Sequence, residues 1–288
     1  MRRLLGISLL WIFIPIWVQA QGLTKAADDC TKLIGDQGIL ACRDAIRLAP
    51  PSDKKSLSNY HYNLGILLGQ AGRYDEAIQN YLKVLEMTPT DSFAQYNIGV
   101  CQGKLSRFEA ALEAYNKAIV LDATYAPAFY NKGVTLDRLN RQEDALEAYK
   151  KAVSLKPDHV NAHMNMGVLL SSLNRNDEAL RAYNEALKYA PNDGDLFFNL
   201  ALLFKKMGRM EEAIQAYRNA LQINPGDAEA SYNVALIFDE LGRKGEAKAA
   251  FTQAVTIWNS LIASNPGYMV ANERIKSLYE NAKLKQLP

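Results

Sequence analysis

Between Ser58 and about residue 258, apolar and polar positions recur as a block, and the block is 34 residues long. Gly65, Gly99, Gly133 and Gly167 fix the period, and the small residues Ala201 and Ala235 continue it in phase. Ala77, Ala111, Ala145, Ala179, Ala213 and Ala247 return at the same spacing, as do Tyr81, Tyr115, Tyr149, Tyr183, Tyr217 and Phe251. Pro89, Pro157, Pro191 and Pro225 each close a unit, with Ala123 in that place in the second. Each unit reads as two amphipathic helices around a turn such as "QAGRYDE" or "KMGRMEE", where Gly72 and Gly208 suit a left-handed helix end. The units begin at Ser58, Ser92, Ala126, Val160, Gly194 and Ala228. The stretches are rich in Ala, Leu, Glu, Lys and Tyr, without long runs of Val, Ile and Thr to supply strands, so the chain is read as all-α.

The segment "SNYHYNLGILLGQAGRYDEAIQNYLKVLEMTP" follows the pattern almost throughout, and "AEASYNVALIFDELGRKGEAKAAFTQAVTI" departs from it mainly by a Phe in its second helix. On these motifs the chain resembles the tetratricopeptide repeat family over residues 58 to 258. A bulky Trp at the fourth position of each unit is replaced by His61, Gln95, Phe129, His163, Phe197 and Ser231. The resemblance implies a right-handed α-solenoid of helix-turn-helix repeats whose first helices line a concave groove. One hairpin cannot bury both its apolar faces, so neighbours must stack. The expected organisation is a signal peptide over 1–20, a degenerate capping hairpin over 21–57, and repeats at 58–91, 92–125, 126–159, 160–193, 194–227 and 228–265. The sixth has a lengthened second helix, and 266–288 form a C-terminal capping helix whose Glu273, Arg274, Lys276 and Lys283 give a polar outer face.

The first residues, "MRRLLGISLLWIFIPIWVQAQG", have two arginines, an apolar run from Leu4 to Val18 and the small Ala20, the layout of a secretory signal cleaved after Ala20. An exported, periplasmic or extracellular protein is expected; an uncleaved signal would instead leave it anchored in a membrane. Removing Arg2 and Arg3 from the 33 basic residues leaves 31, equal to the 31 acidic ones, which argues against a phosphate-tracking nucleic-acid binder. Cys30 and Cys42 lie at equal distances either side of the turn near Asp36, so an antiparallel hairpin would bring them together as a disulfide. The alternative is two small buried thiols. Cys101 reads as an inert buried thiol. His159 and His163 have the spacing of a helical metal pair, but His163 shares the core-facing position of His61 and no third ligand appears. No catalytic constellation or phosphate loop is present either, so neither an enzyme nor a cofactor is expected.

Asparagine recurs in every unit, at Asn63, Asn97, Asn131, Asn165, Asn199 and Asn233, beside Tyr62, Tyr96, Tyr130, Met164, Phe198 and Tyr232. An amide has donors and an acceptor for the backbone of an extended peptide, and the aromatic strip would add apolar contact. The ladder resembles the groove of a repeat superhelix that presents proteins to a sugar transferase. The other reading is architectural: Asn is common at this place in the family and satisfies neighbouring groups within the stack. A clamp for C-terminal carboxylates is disfavoured, because the places where the family carries its lysines and arginine hold Tyr62, Ile66, Asn97, Pro127 and Asn131. The groove positions Gly69, Gly103, Asp137, Ser171, Lys205 and Asp239 vary, and Lys104, Arg138, Lys205 and Lys206 add a positive tint too small to name an acidic partner. The expected function is a scaffold or assembly factor binding a protein or peptide in the groove. The alternative is a membrane-tethered accessory subunit of a secretion, pilus or envelope-synthesis complex that uses its convex face.

Overall fold

The structure is a computed structural model that describes residues 21–265, 267 and 273–286. The signal segment and Pro266 lie outside the described residues, as do the side chains of Glu273 and Arg274. Among the described residues every regular element is a helix. Residues 21–32 form the described part of α1, followed by α2 (Gly35–Leu48), α3 (Lys54–Gln70), α4 (Tyr74–Met87), α5 (Ser92–Lys104), α6 (Phe108–Leu121), α7 (Ala126–Arg138) and α8 (Gln142–Leu155). The chain continues through α9 (Val160–Ser172), α10 (Asn176–Tyr189), α11 (Gly194–Lys206), α12 (Met210–Ile223), α13 (Ala228–Glu240), α14 (Lys244–Ser264) and α15 (Glu273–Gln286). It divides into two compact units, one ending at Leu155 and one beginning at Lys156.

Five of the six first helices start on the residue that opens the repeat, and a capping side chain explains most of these starts. Asp91, His159, Asp193 and Asp227 each accept a hydrogen bond from a backbone N–H two or three residues on. Asp53 does the same one turn ahead of the repeat phase, which is why α3 begins at Lys54 rather than Ser58. Each first helix ends in a left-handed residue: Gly72, Ser106, Asn140, Asn174, Gly208 and Gly242 have φ between 57° and 75°. The two backbone bonds of a Schellman turn follow, as in Arg73 N–H to Leu68 C=O (2.8 Å) and Gly72 N–H to Gly69 C=O (3.1 Å).

Within a hairpin, the repeated glycine and the repeated aromatic form one packing element. A methyl group at Gly65, Gly99, Gly133 or Gly167 would meet the ring of Tyr81, Tyr115, Tyr149 or Tyr183 at 2.6–2.7 Å, so each ring lies directly on the backbone of its own first helix. Burial of these tyrosines and of Ala77, Ala111, Ala145 and Ala179 gives the hairpins their interior.

The ends differ from the repeats. In the N-terminal unit Cys30 and Cys42 form a disulfide between α1 and α2 with 4.4 Å between Cα atoms, and both join the core with Ile39, Leu64 and Leu68. In the C-terminal unit α14 has 21 residues where α4, α6, α8, α10 and α12 each have 14. Its extension carries Trp258, 1% exposed, between Tyr232 and Tyr279. Helix α15 packs on α14 and touches α13, taking the place of a following first helix. Lys276 and Lys283 are exposed there, as expected of a polar end.

Candidate functional site: the first-helix face

The asparagines are all half-buried, and their hydrogen bonds differ with the residue one hairpin earlier. Asn97 Nδ2 donates to the Tyr62 hydroxyl at 2.9 Å, and Asn131 Nδ2 donates to the Tyr96 hydroxyl at 2.9 Å. The asparagine of one repeat therefore pairs with the phenol of the repeat before it, 35 residues apart. In the C-terminal unit the corresponding earlier residues are Met164 and Phe198, which have no hydroxyl. Asn233 instead donates to Glu229 C=O of its own helix at 3.0 Å, and Asn199 makes no hydrogen bond among the described residues.

Burial pushes the Tyr62 and Tyr96 hydroxyls above the usual phenol range, with the asparagine bond opposing it, so both remain protonated. The Tyr62 oxygen accepts from Asn97 and keeps its own hydrogen, while Asn97 Oδ1 has no partner among the described residues. One donor and one acceptor are thus left side by side, the complement of a peptide unit. The Asn97 amide is thus bonded within the stack through its nitrogen, while its oxygen has no partner among the described residues.

The aromatic strip is less uniform than its sequence. Tyr62, Tyr96, Tyr130 and Phe198 are half-buried, each with its ring against the buried tyrosine of its hairpin. Tyr232 is only 6% exposed, enclosed by Phe251 and Trp258, because the lengthened α14 covers it. Phe93 and Tyr125, which the ladder did not include, extend the strip: Tyr125 sits edge-on to both Tyr96 (5.1 Å) and Phe93 (5.0 Å). An aliphatic row at Ile66, Val100, Val134, Val168, Leu202 and Leu236 also shares the face, and its 34-residue spacing was a signal already present in the chain.

The variable groove positions divide into spent and unspent groups. Lys205 pairs with Glu240 at 2.9 Å, and Lys206 donates to Ser171 C=O. Asp239 binds Lys244 and Lys285, and these ammonium groups hold its carboxyl down at about 2. Lys104 and Arg138 are exposed and make no ion pair among the described residues. The histidines are structural: His61 Nδ1 lies 2.9 Å from Asn80 Oδ1, His163 Nε2 donates to Pro157 C=O, and His159 caps α9. Cys101 is free and buried, with its thiol pushed up to about 11 by burial. No cluster of three or more metal-ligating side chains occurs among the described residues.

Models of the tetratricopeptide repeat match residues 56–123, 126–159, 164–228 and 198–262. The chain belongs to the tetratricopeptide repeat family. No curated protein matches it significantly in sequence. Solved structures share the fold. PilF of Pseudomonas aeruginosa aligns with TM-score 0.62 at 20% identity, covering 81% of this chain and 99% of that one. YrrB, described as a TPR protein with an unusual peptide-binding site, gives 0.56 at 22% identity over 71% of this chain and 97% of its own. MamA gives 0.54 at 25% identity over 58% and 97%. In this tetratricopeptide repeat chain α5 touches α7 in the N-terminal unit and α9 touches α11 in the C-terminal unit, so the exposed positions of these first helices adjoin.

Proposed function

We propose that the protein is a non-enzymatic interaction scaffold that binds an extended segment of a partner protein along its first-helix face. The observation that carries this reading is the Tyr62–Asn97 pair, whose unused hydrogen and carbonyl oxygen lie beside the exposed Ile66 and a nest of aromatic rings. Backbone recognition by paired donor and acceptor, with apolar contact on either side, suits an extended chain of varied sequence. The peptide-binding description of YrrB supports the same reading by likeness of fold. We further propose that the protein works outside the cytoplasm. The leader-like first 20 residues support export, and the Cys30–Cys42 disulfide suits an oxidising compartment.

A photo-crosslinking residue introduced at Phe93 on the first-helix face, and in a second variant at Glu113 on the exposed side of α6, tests it in living cells of the source. A discrete protein captured from Phe93 and not from Glu113 is expected. Capture from Glu113 alone would transfer the binding surface to the second-helix face. Tyr62→Phe, which removes the hydroxyl and keeps the ring, should weaken the Phe93 crosslink without changing the melting curve.

A further inference from the structure

A cavity of about 450 Å3 opens on the first-helix face of the N-terminal unit, between the second and third repeats. Its apolar lining comes from Val100 and Val134, at one repeat position of α5 and α7, and from Phe108 of α6. Its charged lining comes from Lys104 and Arg138, again at one repeat position, and no acidic side chain lines it. Asp137, the neighbour of Arg138, is not part of the wall. The equivalent cation of the fifth repeat, Lys206, is tied to Ser171 C=O, whereas Lys104 and Arg138 make no hydrogen bond or ion pair among the described residues. Two unspent cations of one sign over an apolar pocket form an electrostatic complement to an acidic segment with an aliphatic anchor.

Asn131 also lines the cavity, and its bond to the Tyr96 hydroxyl joins the cavity to the nest of Tyr96, Tyr125 and Phe93, the last 51% exposed. The turn residue Ser106 lines the cavity as well, and it alone among the six turns is neither Gly nor Asn at positive φ, a strain of the kind retained beside binding surfaces.

We propose that this cavity selects an internal acidic–aliphatic–acidic stretch of the partner, with the aliphatic side chain on Val100, Val134 and Phe108 and the flanking carboxylates on Lys104 and Arg138. The cations stand on two different helices, so two carboxylates satisfy them where a chain end would bring one. The proposal rests on the first-helix face being the peptide-binding surface.

The test selects peptides on the purified full-length protein from a random twelve-residue library embedded in a carrier, so that neither end is free. A second library has a free C-terminus. Enrichment of an aliphatic residue flanked by Asp or Glu in the embedded library is expected. An enriched peptide, N-acetylated and C-amidated, should bind about tenfold more weakly by fluorescence anisotropy to Lys104→Gln and to Arg138→Gln, and should bind Lys206→Gln as it binds the parent. Both residues are exposed, and unchanged melting curves establish that the variants fold. Enriched peptides without acidic residues, or unaffected by the two substitutions, would overturn this inference and leave the first-helix reading standing. Enrichment only among free C-termini would overturn the internal stretch. No enrichment in either library would overturn both readings.

Discussion

Gly99 has no room for a methyl group, because a Cβ there would lie 2.6 Å from a carbon of the Tyr115 ring. Gly99→Ala should cost about 1–3 kcal/mol through displacement of the ring, measured by urea unfolding. Ser106 presents the opposite case: its backbone holds φ 58° where Gly72, Gly208 and Gly242 stand in sister turns. Ser106→Gly should stabilise by about 1 kcal/mol, and a loss of stability would show that the hydroxyl has a role of its own. His159 caps α9 through Nδ1, which accepts from Ala162 N–H at 3.3 Å and therefore must be unprotonated. Burial, the largest cause, lowers its pKa below the ordinary 6.5. A histidine whose folded pKa is depressed contributes stability above its unfolded pKa and loses it as pH falls through the folded value. Thermal stability should therefore decline from pH 7 to pH 5 more steeply in the parent than in His159→Asp, whose carboxylate keeps the cap.

At the scale of elements, the α1–α2 hairpin is the least repeat-like part and the one held covalently. Ile34 and Leu40 are 81% and 61% exposed there, and the disulfide adds a covalent tie between the two helices. Closing a loop of this size contributes about 3 kcal/mol by restricting the unfolded chain. Replacing Cys30 and Cys42 together by Ser should lower the stability of the N-terminal unit by about that amount. A non-reduced mass that shows both thiols free in the parent would remove the bond itself. Helix α15 is held differently, by Trp258 of α14 against Tyr279 and by Lys285 on Asp239 of α13. Asp239 has a depressed pKa, so its contribution is present above the ordinary carboxylate range and fades as pH falls toward about 2.

At the scale of the whole molecule, each hairpin depends on its neighbours, because stability in such arrays is a sum of repeat and interface contributions. Leu136 is 1% exposed in α7, and Leu136→Ala should cost about 2–5 kcal/mol. Hydrogen exchange should show the lost protection concentrated in α5 to α8, with α1 and α2 changed least. Equal loss throughout α1 to α8 would mean that the N-terminal unit unfolds as one cooperative block.

The sequence by itself determined the helices and their order. A 34-residue recurrence of Gly, Ala and aromatic positions specifies which residues share a helix face, and Asp91, Asp193 and Asp227 mark the starts to the residue. The disulfide was legible too, from the symmetry of Cys30 and Cys42 about one turn. The use of each repeated polar group was not legible. Asn97 and Asn131 reach phenols 35 residues earlier, one step off the sequence period, and Tyr232 is covered only because α14 is long enough to place Trp258 over it. Lys104 and Arg138 belong to the same weakly basic set as Lys205 and Lys206, yet only the latter pair is spent within the protein. Periodicity reports the direction of a side chain around its own helix axis. Which partner it meets depends on the offset between stacked hairpins, a property of the assembled array and not of any one helix.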